Sequence, residues 1–132
     1  MPNYSNQIRI DRGEVINAAC NAGSGPAKLR LYDGTKPATG GSVTSQTLLA
    51  ELTMTDPAFT VTATTLTAGT PAQDSSANAS GTPTWARIVD SDNNFVSDFT
   101  AGVGSGEVQC SAAIVSGQPV SISSFVVTNG NQ

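Results

Sequence analysis

From Lys28 onward, apolar residues recur at every second position, the period of a strand with one buried face. Leu29 and Leu31 alternate with Lys28, Arg30 and Tyr32. Leu48, Ala50, Leu52 and Met54 form a second inner row, and Phe59, Val61 and Ala63 a third. Further strands are expected over 84–89, where Trp85, Arg87 and Val89 share a face, and over 95–99. Val108, Cys110, Ala112 and Ile114 make another row, as do Val120, Ile122, Ser124 and Val126 opposite Ser121, Ser123, Phe125 and Val127. Turn residues separate these runs: Ser24-Gly25-Pro26, Asp33-Gly34, Asp56-Pro57, 90–94, the glycine-rich 101–106, and 116–118. Two longer polar stretches, 35–45 and 67–82, read as exposed loops.

Before Lys28 the period is helical. Asp11 stands three residues ahead of Glu14, a variant of the capping box. Val15, Ile16, Ala18, Ala19 and Cys20 follow, and Asn21-Ala22-Gly23 supplies a C-terminal stop. A short helix is expected over 11–21, with Ile8 and Ile10 extended ahead of it. The fold class is therefore all-β: a β-sandwich or jelly roll of about seven strands with a short N-terminal helix. Residues 1–10 are expected to form an arm, 11–127 one domain and 128–132 a polar tail that frays.

Composition sharpens this picture. Charged residues are 12% of 132, and roughly a quarter of the chain is Ser or Thr, so strand faces turned to solvent carry hydroxyls rather than charges. A net charge of −4 disfavours nucleic acid as a partner. No apolar run approaches the length of a membrane span, so no membrane is expected, and the polar N-terminus predicts synthesis in a cytoplasm. Cys20 and Cys110 are then expected as reduced thiols, Cys110 on an inner face.

Candidate chemistry is sparse. With no histidine, a Ser–His or Cys–His pair is impossible. Asp90-Ser91-Asp92-Asn93-Asn94 has oxygens at alternate positions, but Phe95 and Ala101 stand where an EF-hand needs Gly and Glu. It reads as a turn. Gly102-Val103-Gly104-Ser105-Gly106 precedes a strand, not a helix, and lacks a lysine, so it is no phosphate cradle. The acidic residues lie in or beside turns, where solvation explains them. No enzyme, cofactor or metal is expected. A carbohydrate-binding module would need Tyr32 or Trp85 exposed on a concave face.

Several segments taken together resemble a family of small tailed-phage and prophage virion proteins. They are 29–41, with Tyr32-Asp33-Gly34-Thr35-Lys36-Pro37; 47–53; Asp56-Pro57-Ala58-Phe59; 79–92, with Pro83-Thr84-Trp85-Ala86-Arg87; and 114–125, with Ser116-Gly117-Gln118-Pro119. The resemblance covers most of the chain from 29 to 127. It implies a capsid decoration, or cement, protein on the outer surface of a phage head, with the major capsid protein as partner and a homo-oligomer, dimer or trimer, as the working form. A tail or baseplate accessory protein is the rival within that resemblance. It carries over no catalytic motif. The contact segments expected on this reading are the N-terminal arm (Asn3, Tyr4, Ile8, Ile10), the strand end and loop at Tyr32, Lys36, Pro37 and Thr39, and the 67–82 stretch at Pro71 and Gln73.

Overall fold

A computed structural model describes residues 3–128. One helix, α1 (Asn6–Cys20), precedes eight strands: β1 (Lys28–Tyr32), β2 (Leu48–Thr53), β3 (Phe59–Val61), β4 (Thr65–Ala68), β5 (Trp85–Val89), β6 (Phe95–Val103), β7 (Val108–Cys110) and β8 (Ile122–Thr128). The strands form one curled mixed sheet in the order β2-β1-β5-β6-β7-β8-β4-β3. Every neighbouring pair is antiparallel except β6 and β7. Leu29, Leu31, Leu52, Ile88 and Phe99 from one half share a core with Phe59, Leu66 and Phe125 from the other. The Phe125 ring meets Phe99 edge-on at 5.1 Å and Phe59 at 5.3 Å. Each such side chain contributes about 1.5–3 kcal/mol by leaving water.

The helix begins earlier than its sequence pattern implies. The cap is Ser5, whose hydroxyl accepts from the Ile8 N–H at 3.2 Å. Residues 6–10 are thus helical, and Ile8 and Ile10 are not extended. Asp11 caps nothing; its carboxylate accepts from the Gln7 amide one turn back. Of the expected arm, residues 1 and 2 lie outside the described residues, as do 129–132 of the tail, while Thr128 belongs to β8. Gly13, Asn17 and Cys20 make the buried stripe of α1. The expected cost of a glycine inside a helix is accepted where the helix lies against the sheet.

Eight strands replace the expected seven because β4 carries only one large apolar residue, Leu66, and gave no inner row to read. The β3–β4 turn is made by the Thr62 hydroxyl, which accepts from the N–H groups of Thr64 and Thr65. The expected 95–99 strand runs on to Val103, and Ala101, Gly102 and Val103 pair with β7 instead of forming a turn.

Three bulges shift the alternation, one of them between Ile88 and Val89, where the register steps from Ser97 to Phe95 and Val96 is extra. Between Leu31 and Tyr32 the register steps from Ala50 to Leu48, so Leu49 is an extra residue in β2 and both Leu49 and Ala50 are buried. Between Gln109 and Cys110 it steps from Ser124 to Ile122, so Ser123 is extra and Ile122 and Phe125 both point inward. The expected row of Ile122, Ser124 and Val126 is broken at that point.

The 67–82 stretch begins inside β4 and is not a free excursion. Its backbone ties two regions together. Ala72 N–H donates to Thr53 O and Asn78 N–H to Leu49 O, covering the outer edge of β2. On the other side Asp74 bridges Val120 and Gly81 bridges Ile114. Pro71, Ala77 and Pro83 are buried. An edge strand with unpaired backbone groups is a template for unwanted pairing, and here the chain covers it with itself.

Candidate functional site

Tyr32 and Trp85, which a carbohydrate-binding surface would need exposed, lie on the outer face of β1 and β5, and that face is closed. Tyr32 stacks on Trp85 with centroids 4.5 Å apart, and Trp85 is 1% exposed. The indole N–H donates to Asp33 O at 3.0 Å. Tyr32 is buried as well, so neither ring is a platform for a sugar, and Tyr32 is not a contact residue. The 35–45 loop folds back to this face at Arg87 and Phe95. Arg87 lies between the rings of Trp85 and Phe95, at 5.3 and 5.0 Å from their centroids. It donates through Nε and Nη2 to the two oxygens of Asp98, at 2.7 and 3.0 Å, and through Nη2 to Gly41 O. The hydrogen bond to Asp98 holds the Arg87 pKa above its ordinary value, against the opposing effect of burial. Gly40, at φ +66°, sits over the Phe95 ring in a conformation that favours glycine.

Between this loop and β6 lies a cleft of about 440 Å³ lined by Lys36, Pro37, Thr39, Phe95 and Asp98. Three of the expected contact residues therefore share one cavity wall, with Lys36 and Thr39 exposed and Pro37 half-buried. The remaining candidates are scattered. Asn3 is exposed, and Tyr4 is half-buried with the Arg12 guanidinium 4.8 Å above its ring. Ile8 is 46% exposed on the outer side of α1, in line with Val15 at 68%, while Ile10 is half-buried. Pro71 is buried in the wall of a 210 Å³ groove beside β4 and β8, so it is not a surface contact. Gln73 is exposed and donates to the Ser121 hydroxyl.

Sequence reasoning missed a flatter feature. On β3, β4 and β8, Thr60, Thr67 and Val126 stand in one row across the three strands. Thr62, Thr65 and Thr128 stand in the next, the Thr62 and Thr65 hydroxyls 3.1 Å apart. All six are exposed except the half-buried Thr65. The signal was present as threonines two apart at 60 and 62 and again at 65 and 67, but it needed the unseen β4 to become a surface.

The Asp90 carboxyl and the two thiols are committed to structure. Asp90 Oδ1 accepts from the N–H groups of Asp92 and Asn94, and Oδ2 from the Asn94 side chain. The backbone bond from Asn94 is the chief cause that holds the Asp90 carboxyl below its usual range. The turn thus engages both oxygens of Asp90, the first of those that suggested a cation loop. Cys20 and Cys110 are free, buried thiols, each pushed up to about 11 by burial. Among the described residues no three Cys, Asp or Glu side chains gather as metal ligands, and no helix is long and apolar enough to cross a membrane. No family model matches the chain, and no curated protein or solved structure matches it.

Proposed function

We propose that the protein is a structural component of a tailed-phage virion, which decorates the outer surface of the capsid as a dimer or trimer and bridges major capsid protein subunits. The observation that carries this reading is the uncharged face of β3, β4 and β8, with five threonines and one valine in two rows. Hydroxyls and methyls of this kind bury against another protein at lower desolvation cost than charges. The 72–78 segment ties the β2 edge through its backbone, which lowers the ordering that association requires. Repeated copies on a lattice let each contact be modest. On this reading the curled sheet is a β-sandwich, β2, β1, β5 and β6 packed over β3, β4 and β8, with the Phe99–Phe125–Phe59 rings as the filling between layers.

Cryo-electron microscopy of intact virions tests the assignment. Density of this fold on the outer head, bridging capsid subunits through the threonine face, is the expected result. Density on the tail with bare capsid seams replaces it with a tail or baseplate role. In a binding assay, shells of the major capsid protein should pull down the protein on sedimentation. Thr60→Arg with Thr67→Arg should abolish that binding while leaving the fold intact by circular dichroism.

A further inference from the structure

The two outermost strands of the sheet are protected in different ways. The edge of β2 is covered by several residues of the 72–78 segment, bonded through their backbone. The edge of β3 is met by a side chain. Asn17 Oδ1 accepts from the Phe59 N–H at 3.0 Å, and Asn17 Nδ2 donates to the Phe59 carbonyl at 3.0 Å. The carboxamide reproduces the two bonds that a residue of a neighbouring strand would make in an antiparallel ladder.

The ladder also fixes which groups face that edge. Ala58 O accepts from Gly69 N–H, and Thr62 N–H donates to Thr65 O, so both are turned towards β4. Backbone groups alternate along a strand in such a pair, so Thr60 also faces β4 while Phe59 and Val61 face outward. A two-fold axis through Thr60 would set Phe59 of one chain opposite Val61 of another, each pair exchanging two N–H···O bonds. Thr60 would then stand opposite Thr60 of the second copy, a favourable cross-strand pair. The edge is self-complementary, as an isologous contact requires.

We propose that α1 is a removable guard on the β3 edge, and that the partner it holds off is a second copy of this chain, joined β3 to β3. Its attachment suits removal. The buried residues of α1 are Gly13, Asn17 and Cys20, its apolar contact with the core is Cys20 and the half-buried Ile16, and Ile8 and Val15 face away. The chain after the helix is anchored on its own, the Gly25 N–H donating to the Ser91 hydroxyl at 3.2 Å, so α1 can lift without the sheet. When it does, the Phe59 amide and carbonyl lose their partners, and pairing with a second copy restores them. This inference does not depend on the virion reading.

The test compares the unaltered protein with Asn17→Ala by sedimentation velocity. The sedimenting mass of Asn17→Ala should double relative to that of the unaltered protein, and adding Val61→Pro, which removes an outward N–H, should reverse the doubling. Hydrogen exchange separates pairing from mere loosening: in the paired form the Val61 amide becomes protected although Asn17 is gone. Should Asn17→Ala fail to fold, Asn17→Asp keeps the size and the acceptor but sets a carboxylate against the Phe59 carbonyl, and its mass should also double. Unchanged mass in the folded variant, or doubling that Val61→Pro leaves in place, overturns the proposal.

Discussion

The two halves of the sheet are built to different standards. Around β1 and β5 both faces are covered: the core lies beneath, the Tyr32 ring and Arg87 lie on Trp85, and the 35–45 loop meets Arg87 through Gly41 O. All five residues of β5 are buried. Around β3 and β4 the strands are three and four residues long, one face is open, and a single carboxamide meets the outer edge. The first half stores stability in rings and a buried ion pair. The second offers surface. Short, one-sided strands yield locally before the centre does, and elements that change partners are drawn from such regions.

Four expectations sharpen or break this contrast. The largest belongs to the covered half. Trp85→Ala removes a buried indole stacked on Tyr32 and should cost about 3–5 kcal/mol by denaturant titration. A loss below 1 kcal/mol, on the order of a surface change, would mean this face is not sealed.

Next comes the ion pair. Asp98→Ala leaves Arg87 buried between two rings without its carboxylate and should cost about 3 kcal/mol. Arg87→Met with Asp98→Leu should recover most of that, since neither charge is then stranded. An equal loss in single and double variants would show that packing, not the stranded charge, sets the cost.

In the open half, Thr60→Ala or Thr67→Ala should change stability by less than about 0.5 kcal/mol. The same substitutions should weaken any association made through that face. A large stability loss here would remove the contrast between the halves.

The smallest effects are those of pH. The folded pKa of Asp90 is lowered, so its contribution is present above the ordinary carboxylate range and lost as pH falls through the folded value. The Cys20 and Cys110 thiols are raised, so their contribution is complete below the ordinary thiol range. It is lost as pH rises through about 11, because the unfolded chain ionises first. Melting temperature against pH should therefore fall at both ends. Asp90→Asn should blunt the acid limb, and Cys20→Ala with Cys110→Ala the alkaline one.

Much of the β architecture was legible because a half-buried strand writes its period into the chain. The rows Leu29–Leu31 and Ala50–Leu52, and the in-facing Cys110, needed only the spacing of apolar residues. β4 was not legible, because its inner side is one leucine and its turn is made by a threonine hydroxyl. The helix start was misplaced because Ser5 and Asp11 both offer a cap, and only packing against the sheet decides between them. The surface candidates were the least legible. Tyr32 alternates with inward leucines, so it was read as outward, and outward it is; that the Trp85 ring stacks on it leaves no trace in the period.

The sequence by itself determined the predominance of strands, the inner faces of most of them and the shortage of charge, because these follow from local period and composition. Tertiary structure decided which outward faces stay open. It closed the Trp85 face with the Tyr32 ring and Arg87 and the β2 edge with the 72–78 segment, set Asn17 on the β3 edge, and left the threonine rows in solvent. Each of these joins residues far apart in the chain, and a backbone group finds such a partner only after the sheet has curled.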